Sequence, residues 1–146
     1  MKYPQTTLLI LASCCGTLLS APALAESWVA LPTESTNMLF SIDEASLSRN
    51  GDVVRFWERL VFLVPEQRDE PSGKMVKEKR IHRVMNCAQK SQGHLYTSLI
   101  APDGKQIEAV YRNEASVEMK LVAPFSVAAK ELEWACSSAR QVPETR

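Results

Sequence analysis

Histidine, net charge and long apolar runs are all in short supply in this chain, and each shortage removes a class of function. Only His82 and His94 are present among 146 residues. They stand apart on a strand-like stretch, in no HExxH or Cys/His ligand spacing, so neither metal binding nor general acid–base catalysis has a local constellation to rest on. Both are read as surface or rim positions, and the chain is expected to be non-catalytic, with no cofactor and no metal. Ser72-Gly73-Lys74 lacks the earlier glycine of a phosphate-cradling loop and reads as a turn beside a lysine. The pairs Asp43-Glu44 and Asp69-Glu70 read as solvated charge. With 17 Lys+Arg against 17 Asp+Glu, no electrostatic field favours nucleic acid or an anionic membrane. Beyond Leu19 no segment approaches the ~20 continuous apolar residues of a membrane span.

What the first 25 residues do contain is an export signal. Lys2 precedes an apolar stretch from Thr7 to Leu19, and Ala23-Leu24-Ala25 supplies the small-x-small site cut by a signal peptidase. An alternative lies in Leu11-Ala12-Ser13-Cys14, a lipobox pattern in which Cys14 would be lipidated and become the N-terminus. Cleavage after Ala25 leaves 121 of the 146 residues, with 16 Lys+Arg against 17 Asp+Glu, because Lys2 is the only charge removed. That length suits one domain and not two. The expected organisation is a signal peptide over 1–25, one domain over 26–140 and a polar tail over 141–146.

Cleavage also removes Cys14 and Cys15, leaving Cys87 and Cys136. Two cysteines in an exported chain predict one disulfide, and only one pairing can form. Closing a loop of about 50 residues stabilises by at most roughly 4 kcal/mol through the entropy of the unfolded chain.

The mature sequence shows no repeat or low-complexity block. Period-two patterning predicts strands near 38–47 and 53–64 around an Asn50-Gly51 turn. The stretch 65–74, with two prolines and a glycine, reads as a long loop. Met75 to Cys87 forms a third strand with charge on both parities, which predicts an edge or a projecting strand. Leu95–Ile100 and Ile107–Tyr111 flank the turn Pro102-Asp103-Gly104, and Val117, Met119 and Leu121 continue the alternation. Ser126 then caps a helix to about Ser138, whose Val127, Leu132 and Ala135 or Cys136 face a sheet. The predicted fold is α+β: a twisted, mostly antiparallel sheet of about six strands, with a C-terminal helix packed on it and one disulfide pinning it.

Several features in order, Ser27-Trp28-Val29, Phe40-Ser41-Ile42-Asp43, Gly51 through Trp57, Asn86-Cys87, and Pro124-x-Ser126 ending in Ala135-Cys136, resemble the surface-adhesin protein E family of small exported bacterial proteins. The resemblance implies an antiparallel sheet, a C-terminal helix and a disulfide near Cys87 and Cys136. It further implies adhesion at the surface of a Gram-negative bacterium, with host extracellular-matrix or plasma proteins as partners. The chain departs from the family's pattern at Asn86, where an aspartate is frequent, and in an unusually basic Met75–Arg83 stretch.

That stretch supplies the one candidate partner site, a basic ribbon of Lys74, Lys77, Lys79, Arg80 and Arg83. On a projecting strand it would engage acidic proteins or sulfated glycans, and on an edge it would prevent aggregation, the reading favoured here. The aromatics are read mostly as core. Because both parities of 53–64 are apolar, Val61 and Leu63 predict a second covered face, and a homodimer is one way to cover it. A protein-interaction module is therefore the leading expectation. A periplasmic small-molecule carrier or envelope-complex accessory protein is the alternative, and would need an apolar pocket between sheet and helix.

Overall fold

The computed structural model describes residues 26–67 and 72–138. The expected signal peptide, Cys14, Asp69-Glu70 and the tail lie outside the described residues. Six strands follow one another as an antiparallel meander: β1 (Trp28–Leu31), β2 (Met38–Asn50), β3 (Val53–Gln67), β4 (Met75–Asn86), β5 (Ser91–Ile100) and β6 (Gln106–Tyr111). A 3-10 turn at Glu114–Ser116 leads to the two-residue β7 (Lys120–Leu121), which pairs with the start of β5. Helix α1 (Val127–Ser138) closes the described chain.

The turns follow from backbone chemistry. Asn50 pairs with Val53, so the β2–β3 turn is Gly51-Asp52, one residue later than the sequence predicts. Only Gly51, at φ 57°, carries positive φ there, the pattern of a type II′ turn, in which glycine takes the first central position. Helix α1 starts as expected. The Ala129 amide donates to Ser126 Oγ at 3.2 Å, satisfying one of the donors a first turn leaves open.

Four expectations need correction. The loop predicted over 65–74 is shorter, because β3 continues through Pro65 to Gln67, with a register irregularity between Val61 and Glu66 accommodating the proline. The strand expected at 117–121 is reduced to Lys120–Leu121, since Asn113 Oδ1 accepts the Ala115 amide and folds 114–116 into a tight turn. β1 is a strand the pattern does not mark, because four residues are too few to show alternation. Most consequential, β4 is neither an edge nor a projection. It lies in the middle of the sheet, paired with β3 along one side and β5 along the other.

Two different faces result. On one, Ile42, Val54, Phe56 and Met85 are fully buried with Ala135 of α1, and Leu31, Leu132 and Trp134 pack around them. At the far end Phe62, Val76 and Leu99 form a second apolar cluster. The Cys87–Cys136 disulfide, spanning 49 residues, ties the end of β4 to the last turn of α1.

The helix-covered face also explains how a central strand carries cations. Arg83 is buried, and its Nε and Nη2 both lie 2.5 Å from Glu58 Oε2 on β3. Glu131, one turn before Ala135 on α1, brings Oε2 to 3.4 Å from Arg83 Nε. One guanidinium cannot neutralise two buried carboxylates. Burial, and next the charge of Glu58, raise the Glu131 pKa to about 8. A protonated Glu131 beside the Arg83–Glu58 pair makes the cluster net neutral, and neither Glu131 oxygen has a hydrogen-bond partner.

That proton has a pH signature. The unfolded glutamate loses its proton near 4.5 and the folded one near 8. Between those values the unfolded state binds fewer protons, so stability is fully present below 4.5 and falls as pH rises through 8. His94 opposes this at the acid end: burial, then Arg83, lower its pKa from 6.5 to about 4, so it favours the fold increasingly up to pH 6.5. The Glu131 slope therefore stands apart from that of His94 between pH 6.5 and 8. Urea titrations across that window should show wild-type stability falling, by no more than about 1.4 kcal/mol per pH unit for one proton. Glu131→Gln should remove the fall. An equal slope in the variant would place the titrating group elsewhere.

Candidate functional site

The face turned away from α1 is built by strand register. Residues directly opposite each other share a face, and one row across the sheet reads Trp28, Asp43, Trp57, His82, Tyr96, Tyr111. The neighbouring row reads Ala30, Ser41, Arg59, Arg80, Ser98, Ala109. Rings and guanidinium groups from different strands thus meet on a single surface.

Two irregularities make the rows possible. At the β2 bulge between Asp43 and Ser48, Ser46 Oγ donates to the Asp43 carbonyl at 2.6 Å and accepts the Trp57 amide at 2.8 Å. It bridges strands whose own ladder is interrupted there. Asp43 Oδ1 accepts the amides of Ser27 at 2.8 Å and Ala45 at 3.2 Å, fixing the chain ahead of β1. In β5, Leu95 is an extra residue: His82 pairs with Tyr96 while Arg83 pairs with His94. Strict alternation would put His94 and Tyr96 on one face, and the bulge puts them on opposite faces.

The rings are held in place. His82 stacks on Trp57 with centroids 4.9 Å apart and planes 13° from parallel, and Tyr96 meets Trp57 edge-on at 5.5 Å. Trp28 Nε1 donates to Glu26 Oε2 at 2.9 Å, and the Arg59 guanidinium lies 4.6 Å over the Trp28 ring. Arg80 Nε donates to Glu78 Oε1 at 2.6 Å, the main cause of its raised pKa, and Glu26 Oε1 lies 3.6 Å from Arg80 Nη1. A groove of about 390 Å³ opens among Trp28, Trp57, Tyr96, Asp43, Arg80 and Gln106. A second, about 370 Å³, shares Trp28 and runs past Pro32, Leu39, Arg59 and Val61.

The histidines have separate structural tasks. Burial, and then Arg55, lower the pKa of His82, which favours the neutral ring stacked on Trp57. His94 Nε2 lies 3.1 Å from Arg83 Nη1, and with a pKa near 4 it is a neutral acceptor. No group of three or more His, Cys, Asp or Glu suited to a metal ion occurs among the described residues.

The basic stretch is dispersed. Lys74 is exposed in the turn before β4, Lys77 Nζ donates to the Phe62 carbonyl at 2.6 Å, and Lys79 sits 5.6 Å over the Phe62 ring. Arg80 lies on the open face, and Arg83 is in the buried cluster. These five side chains do not form one ribbon: Lys74 stands in the preceding turn, Arg80 lies on the open face and Arg83 is buried. The aromatics correct the expectation of core as well. Phe40, Phe56 and Phe62 are buried, whereas Trp28, Trp57 and Tyr96 line the open groove, and Tyr111 and Phe125 are exposed. Between sheet and helix, where a carrier would need its pocket, packed side chains surround Phe56 and Ala135. The open-face row escaped the sequence because its members come from six strands.

Residues 28–137 match the family model described as surface-adhesin protein E. No curated protein sequence matches the chain. Among solved structures, Haemophilus influenzae protein E superposes with a TM-score of 0.53 at 14% identity, covering 82% of this chain and 91% of that one, a likeness of fold. Protein E from non-typeable Haemophilus influenzae gives a TM-score of 0.48 at 13% identity over 77% and 85% of the two chains, too low to add to that comparison. The match over 28–137, spanning the sheet and nearly all of α1, makes this chain a member of the surface-adhesin protein E family.

Proposed function

We propose that this chain is an exported, non-catalytic protein-interaction module that binds host extracellular-matrix or plasma proteins. The observation that carries this reading is a broad sheet face left free of α1 and ending in an apolar strip. Leu39 pairs with Val61, and Leu63 follows two residues on along β3. Leu39 and Leu63 are each about half exposed, at 55% and 50%. A rigid, preorganised surface loses little entropy on binding, which is what a binder without catalytic groups needs. Family membership supports the same reading.

Immobilised matrix and plasma proteins provide the test. Saturable binding is expected, and Leu39→Ser with Leu63→Ser should weaken it by about tenfold, roughly 1.4 kcal/mol. Charge reversal at Lys74, Lys77 and Lys79 measures the share of the dispersed basic stretch and should make binding less sensitive to salt. Failure to bind any such protein would remove the adhesin reading.

The same strip supports a second reading, self-association through the open face. Sedimentation at high micromolar concentration should then show a dimer that Leu63→Ser dissociates, and a monomer throughout would exclude it.

Export rests on the N-terminal pattern. The native protein's intact mass should begin at Glu26 in a soluble fraction, whereas a membrane-bound species beginning at an acylated Cys14 would replace simple cleavage with a lipid tether.

A further inference from the structure

We propose that the groove bounded by Trp28, Trp57 and Tyr96 is a binding site for a neutral glycan, taking hexopyranose rings of an oligosaccharide. This goes beyond the adhesin reading and does not depend on it, because it requires no matrix protein.

The charge pattern of the groove decides the ligand class. Glu26 is engaged by the Trp28 indole through one oxygen and faces Arg80 with the other. Arg80 is committed through Nε to Glu78, and Asp43 Oδ1 is taken by two amides. Each of these groups already has a partner within the protein, and because Glu26, Asp43 and Glu78 outnumber Arg80 an anionic ligand would also meet net negative charge. A charged ligand would have to break those pairs, at the desolvation cost that leaving a partner unpaired entails.

What the lining still offers is a mixture of aromatic surface and neutral polar groups. Trp28, Trp57 and Tyr96 line the groove with Ser98 and Gln106, and Gln106 is exposed at its rim. The Tyr96 hydroxyl lies 3.4 Å from Gln106 Oε1, so ring and amide sit side by side. A pyranose has the matching character: C–H faces that pack on aromatic rings, and a hydroxyl girdle that both donates and accepts. Its neutrality leaves the internal ion pairs intact.

Rigidity and size agree with this assignment. His82 and Arg59 support Trp57 and Trp28, so the rings need not be ordered by the ligand. The volume of about 390 Å³ falls within the range of small-ligand sites, which combine apolar walls with a few placed polar groups.

Indole N–H resonances of the full mature chain, titrated with maltohexaose, chitotetraose and N-acetyllactosamine, test the proposal. Trp134, packed on the helix-covered face, is the internal control. The expected result is that at least one sugar shifts Trp28 and Trp57 and leaves Trp134 unchanged, with an affinity insensitive to salt. Trp57→Ala should weaken binding by at least about tenfold, and Gln106→Ala, at an exposed position, should weaken it severalfold with the melting temperature unchanged. Chitotetraose preference would point to envelope-type amino sugars, and N-acetyllactosamine preference to glycoprotein antennae. The proposal is overturned if none of the three shifts the groove indoles at about 10 mM. It is equally overturned if Trp134 responds as strongly, or if Gln106→Ala and Trp28→Ala both bind as the wild type does. Loss of matrix-protein binding with glycan binding retained would refute the adhesin reading alone.

Discussion

The placement of α1 depends on the buried cluster of Arg83, Glu58 and Glu131. Each of these groups would be costly to bury alone: β3 and β4 pair Glu58 with Arg83, and α1 adds Glu131, buried beside them in its protonated form. Glu131 reaches Arg83 from one turn of the helix, and Cys136 bonds to Cys87 about one turn later. Glu131 closes over the Arg83–Glu58 pair, both members of which are buried. The disulfide limits the unfolded chain. Together they assign α1 to one face of the meander and leave the other open.

That choice of face determines what the surface displays. Trp57 and Phe56 are sequence neighbours on β3, yet Phe56 is fully buried under α1 and Trp57 lines a groove. The bulge at Leu95 has the same kind of consequence in β5, sending His94 to the Arg83 cluster and Tyr96 to the aromatic row. One extra residue thus joins a hydrogen-bond network on one side to a ring cluster on the other.

The histidines are neutral and committed to packing or to Arg83, and the cysteines are joined. The cations of β4 are divided among a backbone carbonyl, an aromatic ring and carboxylates. What faces outward is a rigid antiparallel sheet carrying aromatic and apolar side chains, consistent with membership in a family of surface adhesins.

The sequence by itself determined the local features. Alternation marked the long strands, Gly51 and Gly104 marked turns, Ser126 marked the helix start, and two remaining cysteines admitted one disulfide. These are legible because each depends on residues within a few positions, or on counting. Only the tertiary structure decided that β4 is central, that Glu131 is buried and that Trp28, Trp57 and Tyr96 share a groove. Charge on both parities looks like an edge until Glu58 arrives from β3 to neutralise Arg83 and Glu131 from α1 to cover the pair. A row drawn from six strands, with aromatic rings from five of them, has no signature in one dimension, because strand register and bulges place its members together and the sequence encodes those only through the whole fold.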